Sequence, residues 1–382
     1  MKYVDWNVVL LLLRTLLELT TIMSLIRFTS RCRAVIVSNS QRSTQTGLHR
    51  SALFVLLVLA ASALVGTSPE NATAGCPVCT NSAAITRTQD QVWLISSRGV
   101  DCPDNVTSDV TLPTSQFDLT ARQWQASDLN KFLAADDGHT RTVVFVHGNQ
   151  TTAEEAQEIG LVLYRDLASD AKDDRPLHFV IWSWPSDRVG GTQLNDVRVK
   201  APRADVAGYY LATVVNRMNS QTPTTMIGFS YGARAITGAL QLEAGGQLCG
   251  WTLPKKQARA AANVALLGAA EDSDWLLPGQ RNDQALSQTE HLLNVYNSSD
   301  HVLRFYHFIY GRRCNADALG YVGLSTGQLT AEQRAKVSQC DAGSTIGSEH
   351  SSNNYLRSPC LLAKMRPLVF EVPLQTAAKP AK

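Results

Sequence analysis

The chain has 382 residues, 44% of them hydrophobic, and a formal net charge of +2. That is enough apolar material for one large domain or two small ones. The near balance of charge, with no long basic run interleaved with aromatic residues, gives nucleic-acid binding no footing.

From the N-terminus, residues 1–26 carry apolar stretches over 8–13 and 16–26, interrupted by Arg14 and Glu18. Residues 27–50 are basic and Ser-rich, without an acidic residue. Residues 51–66 are uncharged and apolar, follow His49-Arg50, and contain the small residues Ala61-Ser62-Ala63. This order of basic region, apolar region and small-residue exit matches a secretory signal. The apolar run is short for a bilayer span, which needs about 20 residues. Three readings of the upstream residues stay open: a long signal n-region, an unused start with Met23 as the true one, or a membrane-associated helix.

Downstream lie Cys76, Cys79, Cys102, Cys249, Cys314, Cys340 and Cys360. In an exported protein some of these pair, and an odd number leaves at least one free or bound between chains. Cys76-Pro-Val-Cys79 has no second CxxC and no Cys/His pair at ligand spacing after it, so a structural disulfide, with Cys102 as candidate partner, is the better reading than zinc.

Residues 91–96 read as a strand, 101–114 as loop and 128–133 as a short helix. From Arg141 the alternation becomes regular. Strands are expected over 142–146, 177–182, 224–229, 262–267, 290–296 and 334–339. Helices are expected over 152–171, 198–218 (with Pro202 in the first turn), 233–242 and 301–310. Strands alternating with helices predict an α/β fold: a mostly parallel central sheet with helices on both faces. In such sheets the chemistry gathers at the carboxyl ends of the strands. The short stretch between the strands at 262 and 290 leaves no room for a large lid.

The most telling stretch is Gly228-Phe-Ser-Tyr-Gly232, set between an apolar strand and a helix. A serine there sits on a strained turn with its hydroxyl pushed outward, while Gly228 and Gly232 let the helix pack against the strand. Together with His147-Gly148 at the end of an earlier strand, Asn297-Ser-Ser-Asp-His301 and Gly347-Ser-Glu-His350, this resembles the α/β-hydrolase fold family over roughly residues 91–369. The resemblance implies a nucleophile, an acid and a histidine in that chain order: Ser230, Asp300 and His350. Asp300 also suits the N-cap of a following helix. Glu271 and Asp272 are the rival acids, and Asp341 is nearer His350 in sequence alone. His291 is at the wrong end of its strand, and His301 and His307 fall on the helix beyond it. The resemblance further implies an oxyanion hole from the N–H of Tyr231 and that of Asn149 or Gln150, with His147 as a structural turn residue. Trp182, Trp184 and Asp187, at the end of a strand, are candidates for a substrate pocket, with packing as the alternative for the tryptophans. Asn-x-Ser/Thr triplets occur at Asn71, Asn105, Asn149 and Asn297, two of them in site loops, where a sugar would obstruct.

No HExxH, phosphate loop or dinucleotide fingerprint occurs, so neither a metal nor a cofactor is expected. The expected organisation is residues 1–66 as export signal or membrane anchor, 67–90 as linker, 91–370 as the α/β-hydrolase domain and 371–382 as tail. The function this implies is an exported serine hydrolase (periplasmic, extracellular or membrane-anchored) that cleaves a carboxylic or thioester through a Ser230 acyl-enzyme. Its partner is a small-molecule ester or lipid-like substrate, with membrane association possible through the N-terminus. An acyltransferase would use the same residues. The alternative is a non-catalytic α/β-hydrolase-fold binding protein at the cell surface.

Overall fold

The computed structural model describes residues 87–100, 106–107, 110–169, 171, 175–309 and 316–371. The expected export segment, Cys76 and Cys79, Cys102, Cys314, Asn71, Asn105 and almost all of the expected linker and tail therefore lie outside the described residues, which all belong to the unit Gly75–Lys382.

Nine strands build one sheet: β1 (Gln91–Ser96), β2 (Thr114–Asp118), β3 (Gln123–Ser127), β4 (Arg141–Val146), β5 (Leu177–Ser183), β6 (Thr224–Phe229), β7 (Ala262–Leu267), β8 (Thr289–Tyr296) and β9 (Val337–Asp341). Their order across the sheet is β3-β2-β1-β5-β4-β6-β7-β8-β9. From β1 to β9 every pairing is parallel, while β2 and β3 add an antiparallel meander at one edge. β4, β5, β6 and β7 are buried at every residue. That is why they read as continuous apolar runs rather than alternating ones: both faces are covered.

The cover comes from helices α1 (Leu129–Ala135), α2 (Ala153–Ala168), α3 (Gln193–Val215), α4 (Tyr231–Glu243), α5 (Tyr306–Ile309) and α6 (Pro359–Phe370). Side chains of α1, α3 and α4 join one apolar cluster, and those of α2 and α6 join the cluster on the opposite face. α2 starts where a capping box forms: Thr152 Oγ1 accepts from Glu155 N–H, and the Glu155 carboxylate accepts from Thr152 N–H. Thr192 caps α3 in the same way through Asn195 N–H, which starts that helix earlier than expected. Pro202 consequently lies inside α3 and not in its first turn, at the cost of one backbone hydrogen bond.

Two further expectations are corrected. Residues 301–309 are not one helix, but a 3-10 turn (Leu303–Phe305) followed by α5, because Asp300 Oδ1 takes the N–H groups of Val302 and Leu303 and tightens the turn. Arg334 sits in a capped helical turn, Ala331–Ala335, so the last strand starts only at Val337. The meander of β2 and β3 is new: its side chains are mostly polar and half-exposed, which leaves little period-two signal to read.

Candidate active site

β6 runs out at Phe229 and α4 begins at Tyr231, so Ser230 alone makes the turn between them. Its backbone sits at φ 55° and ψ −119°, a conformation rare outside glycine and held only where the surroundings impose it. Here they do. Ser230 N–H donates to Leu267 O at 2.9 Å, and Ser230 O accepts from Ala270 N–H at 3.2 Å, so the end of β7 clamps the turn. The two glycines are required by close approach: a Cβ on Gly228 would lie 2.7 Å from Ala233 Cα, and one on Gly232 would run into the carbonyl oxygen of Val146.

The turn meets two distant loops. His350 Nε2 lies 2.8 Å from Ser230 Oγ, and His350 Nδ1 lies 2.7 Å from Asp300 Oδ2. A carboxylate only accepts, so the imidazole carries its proton on Nδ1 and offers the Nε2 lone pair to the serine hydroxyl. Asp300 is fully buried. Burial pushes its carboxyl up, but the His350 hydrogen bond and charge and the N–H groups of Leu303 and Val302 outweigh that and hold it below its ordinary value. Tyr355 hydroxyl donates to the same Asp300 Oδ2 at 3.3 Å. Phe229 stacks on the histidine, with ring centroids 5.0 Å apart. The imidazole is thus fixed in plane, in tautomer and in distance.

The loop after β4 forms the facing wall. His147 is buried, and burial drives its pKa down to about 3, so it is neutral at any ordinary pH. Its Nδ1 donates to Gly148 O, and its Nε2 accepts from Trp184 N–H. Trp184 Nε1 in turn donates to His147 O at 2.8 Å, and the two rings stack. His147 is therefore the pin between the loops after β4 and β5. Beyond it, Asn149 Nδ2 and Gln150 Nε2 both donate to Asp196 Oδ2, at 2.8 and 3.1 Å, with Gln150 at φ 55°. Asp196 Oδ1 accepts from Val189 N–H and pairs with Lys200 Nζ at 3.4 Å. Burial raises the Asp196 carboxyl, yet these hydrogen bonds and the lysine bring it below its ordinary value.

Ser230 and His350 open into a cavity of about 220 Å³. Its lining includes the polar side chains Asn149, Gln150 and Gln193 and the apolar side chains Val197, Val302 and Ile309. Tyr231, whose N–H heads α4, also lines it.

Trp182, Trp184 and Asp187 do not line this cavity, which corrects the pocket expectation. Both tryptophans are 0% exposed: Trp182 points into the sheet core, and Trp184 is consumed by His147. Asp187 pairs with Arg98 instead. The rival groups are engaged elsewhere. Thr237 hydroxyl donates to Glu271, Tyr306 hydroxyl donates to Asp272, and Asp341 receives Ser298. His301 Nδ1 faces Ser348 O, and His307 pairs with Asp317. Asn149 and Asn297 spend their side-chain amides on Asp196 and Gly347 O, within the fold. Asp196, Tyr355, Val302 and Ile309 are absent from the sequence reading. Only the i,i+4 spacing of Asp196 and Lys200 hinted at a pair, and nothing hinted at its contact with Asn149.

A mostly parallel sheet, covered on both faces and carrying a serine on a strand–turn–helix elbow at the carboxyl end of a central strand, is an α/β-hydrolase-type fold. Residues 175–347 match a family profile described as a protein of unknown function, DUF726. No curated protein matches the sequence. Among solved structures, Zea mays acyl-protein thioesterase 2 is 16% identical, covering 60% of this chain and 91% of that one, with a TM-score of 0.33. Aspergillus fumigatus lipase B is 15% identical over 60% and 52%, with a TM-score of 0.31. Esterase B from Lactobacillus rhamnosis is 11% identical over 72% and 83%, with a TM-score of 0.35. Likeness at this level adds nothing to what the strand order and the elbow already define.

Proposed function

We propose that the protein is a serine hydrolase acting on carboxylic esters or thioesters, with Ser230, His350 and Asp300 as its catalytic triad. The observation that carries this is the continuous chain of contacts Ser230 Oγ–His350 Nε2–Asp300, at 2.8 and 2.7 Å. A serine hydroxyl is a weak nucleophile, and a base within hydrogen-bond reach is what activates it. As Ser230 Oγ attacks the carbonyl carbon, its proton passes to His350 Nε2, and Asp300 stabilises the imidazolium that forms. The negative charge that builds on the carbonyl oxygen is met by N–H donors from Tyr231 and from Asn149 or Gln150. Collapse of the tetrahedral intermediate expels the alcohol or thiol, which takes the proton from His350. Water then attacks the acyl-enzyme with His350 as base, releasing the acid and restoring Ser230. Export is part of the proposal, and a disulfide at Cys360 suits an oxidising compartment.

The test is labelling of the purified protein with a fluorophosphonate, beside the Ser230→Ala variant. Labelling that disappears in the variant is the expected result. A well-folded protein that does not label would sink the triad and favour the binding-protein alternative.

A further inference from the structure

Among the described residues, five large hydrophobic side chains are exposed: Leu194, Val302, Phe305, Phe308 and Val322. Four of them sit on two segments that also line the Ser230 cavity. Val302 is 43% exposed and also lines the cavity. Phe305 and Phe308 stand 51% and 65% exposed, with ring centroids 6.3 Å apart, on the same short segment. Leu194, 42% exposed, falls between the lining residues Gln193 and Val197 on α3. The two segments are tied together, since Arg198 Nε donates to the carbonyl of Ile309 at 2.8 Å. Scattered exposed apolar side chains mean little, but a group continuous with a site marks where apolar matter binds.

The cavity itself is small. Its volume of about 220 Å³ is below the roughly 300–1,000 Å³ of sites that enclose a whole organic ligand. An ester with a long apolar arm cannot be swallowed, whereas its reacting carbonyl fits. Of the residues that line the cavity, Gln150, Gln193 and Val302 are the exposed ones, and Val302 alone among them is apolar, so an apolar arm leaves most favourably past Val302.

We infer that the substrate is an amphiphilic ester whose apolar arm leaves the cavity past Val302 and lies along the exposed rim of Phe305 and Phe308. This rests on the serine hydrolase reading. Half-burial of each methylene against the rim corresponds to about a twofold gain per carbon, half the free energy of full burial.

The experiment is a chain-length series on the whole protein, using monomeric p-nitrophenyl esters from acetate to decanoate and a parallel series of alkyl acetates. In wild-type protein, kcat/KM should rise with chain length beyond butyrate in one of the two series, which identifies the arm as acyl or alcohol. In the Phe305→Ser/Phe308→Ser variant, the octanoate-to-acetate ratio (or its alkyl counterpart) should fall about tenfold, while the fluorophosphonate still labels. Both phenylalanines are exposed, so the fold tolerates their loss. A flat profile in both series, or a variant with an unchanged ratio, overturns the inference while leaving the hydrolase reading intact. Failure to label with fluorophosphonate or to cleave even the acetate overturns the reading beneath it.

Discussion

The buried pair of Asp196 and Lys200 gives the sharpest test of how the wall facing Ser230 is held. Asp196 accepts from Asn149, Gln150 and Val189 and faces Lys200, and the two charged side chains are 1% and 0% exposed. Asp196→Ala would leave the buried Lys200 ammonium without its paired carboxylate, with the Asp187 carbonyl still accepting from it, and would take the acceptor from Asn149 and one of two acceptors from Gln150. Removing one partner of such a pair costs about 3–5 kcal/mol, which in a domain of this size lowers Tm by roughly 10 °C. Loss of the anchor should also let the Asn149-Gln150 loop drift. A displacement of about 1 Å at a reacting centre is worth up to about 10²-fold in rate, so kcat should fall about 10- to 100-fold with KM little changed. Lys200→Met on top of Asp196→Ala removes the stranded charge at similar volume. The double variant should therefore regain much of the lost Tm and none of the lost kcat. Differential scanning fluorimetry and p-nitrophenyl acetate turnover on the three proteins make the comparison. If kcat recovers together with Tm, the pair is only structural and the positioning argument is wrong.

Two further outcomes follow from the site. Asp300→Asn keeps the shape but replaces an acceptor with an amide that favours the other imidazole tautomer, and kcat should drop by about 10⁴ with folding retained. A loss below tenfold would refute Asp300 as the group that orients His350. Glu271 itself predicts a pH dependence of stability. Burial holds its carboxyl up at about 8, against an ordinary 4.5, so the folded protein keeps a proton that the unfolded chain releases between those values. The linkage then makes stability full below about pH 4.5 and lost as pH rises through 8. Urea midpoints from pH 5 to 9 should fall in wild-type protein by the equivalent of several kcal/mol, on the order of 3–5. They should fall much less in Glu271→Gln, and equal slopes would show that Glu271 is ionised in the fold.

The parallel core was legible because strands buried on both faces announce themselves as unbroken apolar runs, as residues 224–229 and 262–267 do. That Ser230, Asp300 and His350 meet was legible because chain order and strand ends constrain where such groups fall in this class of sheet. What failed shares one cause: it depends on contacts between residues far apart in the chain. Trp184 was read as a pocket residue, because a tryptophan past a strand end carries no mark that a histidine 37 positions earlier will claim its indole N–H. Asp196 meets Asn149 across 47 positions. The rim of Phe305 and Phe308 stayed hidden inside a stretch expected to be one helix, 301–310, whose first residues Asp300 turns into a 3-10 turn.

The hydrogen-bonded amides of Asn149 and Asn297 carry a practical consequence for anyone making this protein. Both belong to triplets that an oligosaccharyltransferase accepts, and that enzyme acts on the nascent chain before such side chains are hidden. A glycan on Asn297 would abolish the bond from its amide to Gly347 O and hold open the loop that carries Asp300. One on Asn149 would separate it from Asp196. Passage through a eukaryotic secretory pathway would thus produce chains that cannot close around their own site. A bacterial periplasm, which keeps both amides unmodified, is the route to folded material.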